Sequence, residues 1–241
     1  MADPRLEVIG HRLERVKKIV AVSGGKGGVG KSVIAATLAL SLSKKGYRVG
    51  LLDLDFTSPS THLILGAGNL KPVEEKGIIP PTVHGLRYMS IIYYALDEPA
   101  PLRGAEISNV IIELLAITQW GELDYLVVDM PPGISDAALD MIRLMRAVEF
   151  LLVTTPSIVA FETLRKLVVL LLNLKVPVVG VVENMVINPS SRIRENVEKL
   201  GVRYVGAINY DSKLEETFGR VESLLKTQFA VAIDALSSNV E

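Results

Sequence analysis

Residues 22–33 read VSGGKGGVGKSV and carry the spacing Gly25-x-x-x-x-Gly30-Lys31-Ser32. Glycines at this density let successive backbone N–H groups turn toward one anion. A helix opening at Lys31 adds unpaired N–H groups and the positive end of its dipole. In such a loop Lys31 reaches the β- and γ-phosphates of a nucleotide, and Ser32 offers its hydroxyl to Mg2+. The candidate phosphate-binding residues are Gly25, Lys26, Gly27, Gly28, Val29, Gly30, Lys31, Ser32 and Val33. One phosphate site needs only Lys31, so a second lysine at Lys26 requires its own reason.

A hard cation also needs carboxylates. LLDLDFTSPS ends an apolar run with Asp53 and Asp55, and YLVVDMPPG ends another with Asp129. In an open α/β sheet the strand C-terminal ends line the ligand crevice, so all three are expected beside the phosphate loop. The candidate Mg2+ set is Ser32, Asp53, Asp55 and Asp129, partly through water. Asp55 is the candidate for orienting the attacking water, with Asp53 as ligand or buttress. The PPG after Asp129 restrains the backbone and frees it at Gly133, which suits a loop that rearranges on hydrolysis.

These residues need elements to hold them. Apolar runs at 19–22, 49–54, 86–92, 125–130, 150–154, 178–182 and 204–208 are expected as strands, several buried on both faces. Helical patterns near 31–45, 59–66, 105–119, 136–147, 158–174, 190–200 and 212–235 lie between or after them. The alternation predicts an α/β fold, a single doubly wound, mostly parallel sheet flanked by helices. One domain over 1–241 is expected, with 1–17 as a helical lead-in carrying Leu6, Ile9, Leu13 and Val16 on one face. That face either packs on its own domain or docks a partner. The proline-rich stretch 67–85 is expected as a surface excursion.

Composition excludes several chemistries. The 241 residues contain no cysteine, which rules out disulfides, thiolate metal sites and cysteine-held iron–sulfur clusters on them. Net charge is −1, so no bulk attraction to nucleic acid or an anionic membrane is expected. The N-terminus is charged without an apolar core, and the most apolar stretch is broken by Lys166, Lys175 and Pro177. A cytoplasmic protein without a membrane span is the expectation.

GGKGGVGKS resembles the deviant Walker A motif, KGGxGK[ST], of the MinD/ParA/Mrp class of P-loop ATPases. LLDLDFTSPS, WGELDYLVVDMPPG, LLVTTPSIVAFE and VPVVGVVENM resemble Mrp proteins in the same order, over about residues 17–212. The resemblance implies a MinD-like P-loop fold and ATP/ADP with Mg2+ as cofactors. It implies a homodimer on ATP binding, in which Lys26 reaches across to the partner's phosphates. It also implies Asp55 as the switch I carboxylate and Asp129 as the Walker B one. The catalytic set is then Lys26, Lys31, Asp55 and Asp129. Asn184 matches the asparagine that recognises adenine, and Asp211 stands near a further nucleotide contact.

The sequence also departs from that pattern. Cluster-carrying Mrp proteins have a CxxC soon after ENM, where this chain reads VINPSSRIREN. Asn209 replaces a usual proline before Asp211, and PPGISD replaces PPGTGD. The chain is most like a cysteine-free archaeal subgroup that includes the HypB-type ATPase of [NiFe]-hydrogenase maturation. That likeness implies a dimerisation switch in nickel insertion, working with a small metallochaperone such as HypA through residues 1–17. The alternatives are an Mrp-like iron–sulfur assembly ATPase without its own cluster and a MinD/ParA-type positioning ATPase. His11, His62 and His84 have no short metal-ligand spacing, so a partner would hold any nickel.

Overall fold

The structure is a computed structural model that describes residues 3–68, 70–93, 105–134, 136–145 and 147–240. Along the chain run α1 (Arg5–Leu13), β1 (Val16–Gly24), α2 (Lys31–Lys44), β2 (Val49–Asp53) and α3 (Thr61–Leu65). Then come β3 (Val73–Glu74), β4 (Ile78–Ile79), β5 (Thr82–Val83), β6 (Leu86–Ser90), α4 (Ala105–Ile117) and β7 (Leu123–Asp129). The remainder is α5 (Asp136–Leu144), β8 (Val148–Thr154), α6 (Ile158–Asn173), β9 (Val178–Val186), α7 (Arg192–Lys199), β10 (Tyr204–Asn209), α8 (Val221–Leu224) and α9 (Gln228–Ser237).

Eight strands form one sheet in the order β10-β9-β8-β1-β7-β2-β6-β5. Neighbours are parallel except the edge strand β5, which runs antiparallel to β6. This is the doubly wound architecture expected from the alternating pattern. Strand residues alternate between two cores, as the period of two requires. Ile19, Ala21, Leu52 and Phe150 face a core shared with Ile9 of α1, Leu115 of α4, Met141 of α5 and Leu164 of α6. Val20, Val22, Leu51 and Val153 face the other, shared with Ile34 and Leu38 of α2, Ile64 of α3 and Ile233 of α9.

Helix α2 is buried on most of its circumference, from Lys31 to Leu42, because sheet and α9 enclose it. Its Ser41 hydroxyl donates to the Asp234 carboxylate of α9. Strand β1 sits centrally between β7 and β8. The connections from its two flanks leave in opposite directions, and the loop after β1 opens at that switch point.

One expectation changes, one gains detail and one open choice is decided. The pattern 212–235 is not one helix but a short turn at Glu215–Thr217, then α8, then α9. The Gly219 backbone is left-handed and its N–H donates to the Ile64 carbonyl at 3.1 Å, while the Thr227 hydroxyl restarts the helix by accepting from Ala230 N–H at 3.1 Å. The excursion 67–85 holds the β3–β4 hairpin and β5, two-residue strands too short to show a period. The lead-in packs on its own fold: Ile9 is 1% exposed and Arg12 Nε donates to the Ala116 carbonyl at 3.1 Å. Val16 opens β1 rather than continuing the helical face. The apolar stripe expected to dock HypA is thus spent largely on α4. Among the described residues no helix is long and apolar enough to cross a membrane.

Candidate active site at the phosphate loop

Strand β1 delivers the loop into a tight seat. A Cβ on Gly25 would lie 2.3 Å from the Leu164 backbone nitrogen of α6, so only glycine fits there. Gly30, with φ +88°, takes the left-handed turn that starts α2. A Cβ there would stand 2.3 Å from Asn184 Nδ2. The loop borders a cavity of about 530 Å3, within the usual range for small-molecule sites. Gly27, Gly28, Gly30, Lys31, Ser32 and Asp55 line its polar end. Asn184, Met185, Tyr210, Asp211, Leu214, Phe218 and Phe229 line the same cavity and supply its larger apolar side chains. Lys31 is 5% exposed, and its side chain has no ion pair or hydrogen bond among the described residues. A buried cation with no hydrogen bond, and only the Asp129 carboxyl acting on it, is suited to an anion that arrives.

The three carboxylates occupy different environments. Asp53 and Asp129 are register partners on β2 and β7, both fully buried. Asp53 Oδ1 accepts from Asp55 N–H at 3.1 Å, and its Oδ2 accepts from Thr61 N–H at 3.2 Å and Thr61 Oγ1 at 2.6 Å. Thr61 Oγ1 also bonds the Tyr88 hydroxyl at 2.9 Å. Burial pushes the Asp53 carboxyl up to about 6, against the Thr61 hydrogen bonds. Asp53, expected among the metal ligands, has both oxygens engaged in fixing the turn 53–61, and neither it nor Asp129 is among the residues lining the cavity.

Asp55 does line it. Oδ1 accepts from Thr57 N–H at 3.0 Å, Thr57 Oγ1 at 2.5 Å and Ser58 N–H at 3.1 Å. That turn leaves Oδ2 without a hydrogen bond among the described residues. Asp129 stands apart: both carboxylate oxygens are buried without any hydrogen-bond partner. Burial, and then the Asp53 charge, push its carboxyl well above the ordinary value, while the nearby Ser32 hydroxyl and Lys31 ammonium oppose the rise. Orphaned carboxylate oxygens beside a serine hydroxyl are an all-oxygen donor set, the chemistry that Mg2+ takes. The residues present fit that ion.

Lys26 lies elsewhere. It is exposed and borders a neighbouring cavity of about 510 Å3 with Thr155, Pro156, Ile187, Asn188 and Tyr210. Val29 is buried, and its carbonyl accepts from Asn184 Nδ2 at 2.9 Å. The loop after Asp129 is joined to the phosphate loop by a 2.8 Å bond from Gly133 N–H to the Gly24 carbonyl. Sequence reasoning missed Thr61, Tyr88, Met185, Phe218 and Phe229. The hydroxyl run TSPST signalled the turn, whereas Phe229 arrives on a distant helix with no local signal. The histidines stay apart: His11 Nδ1 pairs with Glu14 at 3.5 Å, His84 Nε2 meets the Leu65 carbonyl at 2.9 Å, and His62 Nδ1 is buried without a partner.

Residues 15–234 match the family described as ParA: NUBPL iron-transfer P-loop NTPase. Among similar proteins, an iron–sulfur cluster carrier protein of Pseudomonas fragi is 42% identical over 180 residues, 73% of this chain and 63% of its own length. One from Aquifex aeolicus is 36% identical over 226 residues, 87% of this chain and 62% of its own. One from Methanococcus maripaludis is 38% identical over 190 residues, 77% of this chain and 66% of its own. The chain thus spans about two thirds or less of the curated relatives it matches. An ADP complex of a nucleotide-binding protein from Archaeoglobus fulgidus superposes with a TM-score of 0.72 at 28% identity, covering 98% of this chain and 93% of that one. The septum site-determining protein MinD of Pyrococcus horikoshii superposes at 0.69 with 20% identity, over 93% of this chain and 96% of that one, a likeness of fold. These relatives are named for iron–sulfur cluster carriage, not for nickel or hydrogenase maturation, and come from bacteria as well as an archaeon. The expected HypB, HypA and archaeal assignments have no support among them.

Proposed function

Because this chain belongs to the ParA family of NUBPL-type iron-transfer P-loop NTPases, we propose that it is a Mg2+-dependent ATP hydrolase serving iron–sulfur cluster assembly as a nucleotide-driven switch. The observation that carries the hydrolase reading is Asp129, buried beside Ser32 and Lys31 with both oxygens unpartnered. A stable fold has no use for such a group, but a metal–phosphate site does. The iron–sulfur assignment rests on the relatives' names, and the cluster would be cargo held by other proteins' thiolates, since these 241 residues have none.

In this reading the loop amides and Lys31 hold the β- and γ-phosphates. Ser32 and Asp129, with Asp55 partly through water, would hold Mg2+, which when bound would supply positive charge to offset that of the phosphates. Oδ2 of Asp55 orients a water in line with the γ-phosphate. The water oxygen bonds phosphorus as the bond to the ADP oxygen breaks, and the water's proton goes to the released phosphate. Asp53 acts through Thr61 and Asp55, holding the turn. Lys26, free at the rim, reaches the phosphates of a second copy, so closure of two chains completes the charge stabilisation. The cycle is slow and partner-regulated.

Phosphate release from Mg-ATP tests the enzyme reading. Wild type is expected to exceed Lys31→Ala at least tenfold. Equal rates with every candidate partner would reject hydrolysis. A reconstituted transfer from a cluster-loaded donor to an apo acceptor tests the cargo. If this chain with ATP leaves the transfer rate unchanged, the iron–sulfur role falls and the hydrolase remains.

A further inference from the structure

Strand β9 breaks its pairing at the site. Glu183 pairs with Ala207 and Val186 with Asn209, so Asn184 and Met185 stand opposite the single residue Ile208. This is a β-bulge, a device that bends a strand and re-aims a side chain. Met185 takes φ +60°, a left-handed conformation that a bulky side chain adopts only under constraint. What the bulge achieves is visible one residue earlier. Asn184 is 2% exposed, and its Nδ2 donates to the Val29 carbonyl at 2.9 Å across 155 residues of sequence. Gly30 has no Cβ to block that approach.

We propose that Asn184 is a positioning residue that tethers the phosphate loop from the base end of the cavity. The tether lies between two functions. On one side Val29 precedes Gly30 and Lys31, whose backbone and ammonium meet phosphate in the proposed reading. On the other, Asn184 and Met185 line the same cavity together with Leu214, Phe218 and Phe229. Because a carbonyl only accepts, the Val29 bond fixes the orientation of the amide. The nitrogen belongs to the loop, and Oδ1 is left as an acceptor. A base that presents an amino group at that edge gains a bond, and one that presents a carbonyl oxygen meets a like dipole. Base identity is thus passed to the loop through one side chain. This consequence rests on the nucleotide reading, whereas the tether itself exists without ligand.

The experiment uses the full chain and two variants. Asn184→Ala removes the donor, and Asn184→Asp keeps the shape while facing the Val29 carbonyl with an acceptor. Hydrogen exchange is read in the ligand-free protein. Both variants are expected to speed exchange of the Ile34 amide, which donates to the Gly30 carbonyl of the loop at 3.1 Å, about tenfold or more. The Leu114 and Leu115 amides of α4 should keep wild-type protection, which reports an intact fold. Unchanged Ile34 exchange in either variant overturns the tether. A second measurement titrates Mg-tripolyphosphate, a probe without a base. Both variants are expected to bind it several-fold more weakly. Loss of ATP affinity with triphosphate affinity intact would make Asn184 a base reader only, and the tether wrong. Wild type that binds neither probe defeats the nucleotide proposal, while the exchange result still decides the tether.

Discussion

Replacing Asp129 with asparagine is expected to stabilise the ligand-free protein while ending Mg-ATP turnover. The carboxylate is 0% exposed and neither oxygen has a hydrogen-bond partner. An unsatisfied buried polar group costs about 1–3 kcal/mol and more when charged, and the buried amide keeps the polar part of that cost while losing the charged part. The register neighbour Asp53 adds repulsion, which the amide does not feel. Only the charge-dependent part of the cost is relieved, and each kcal/mol of it raises Tm by about 2–4 °C for a chain of this size. The pH dependence has a definite sign. The folded Asp129 carboxyl keeps its proton above the unfolded value of 3.8, so the fold binds more protons than the unfolded chain. Its contribution to stability is fully present below that value and is lost as pH rises through the raised folded pKa. The asparagine variant has no such proton, so its advantage is smallest near pH 4 and grows toward pH 8. Thermal unfolding at several pH values, with and without Mg-ATP, reads all of this. Wild type should gain about 2.7 kcal/mol at a hundredfold excess over Kd, and the variant much less. A variant that melts at or below wild type at pH 8 without ligand, or whose advantage shrinks as pH rises, would show that Asp129 is not an uncompensated carboxylate.

Three further outcomes are expected. Lys26→Ala should leave ATP affinity of the single chain near wild type and abolish the ATP-dependent rise in mass by light scattering, and an unchanged rise would refute the cross-subunit role. Thr61→Val removes a 2.6 Å bond to Asp53 and should cost about 1–3 kcal/mol in urea unfolding, with turnover falling because the turn bearing Asp55 loosens. Ile9→Ala should cost about 2–5 kcal/mol, as a 1% exposed core side chain, and stability unchanged from wild type would return α1 to the role of a free docking surface.

The phosphate loop was legible because its function is written in the backbone, where glycine spacing alone sets the geometry. The strands were legible because burial on both faces leaves continuous apolar runs. The difference between Asp53 and Asp55 was not. Both follow one strand, but β2 ends at Asp53, and the chain then turns through Phe56 and Thr57. Which carboxylate meets the cavity depends on Thr61 and Tyr88, which sequence alone does not place. Asn184 matched the adenine-recognising position, yet its bond to Val29 depends on a bulge that exists only once β10 pairs with β9. The broken helix at 212–235 failed for a simpler reason. An apolar period persists across Gly219, and the break is set by a tertiary hydrogen bond to Ile64.

The absence of cysteine gives the proposed role its shape. The segment after Asn184 carries Ile187, 74% exposed, then Asn188, Pro189 and two serines, where cluster-carrying relatives of the Mrp type are expected to place thiolates. What this chain retains is connection between moving parts. Gly133 is bonded to Gly24 and Asn184 to Val29, so two segments are tied to the phosphate loop, while Asp53 and Thr61 hold the turn that bears Asp55. The first two bonds join strand-end segments to a loop that would feel the γ-phosphate or the base. A protein that held the cluster would need thiolates more than this wiring. One that times another protein's grip on a cluster needs the wiring and no thiolate, and the residues present favour that division of labour.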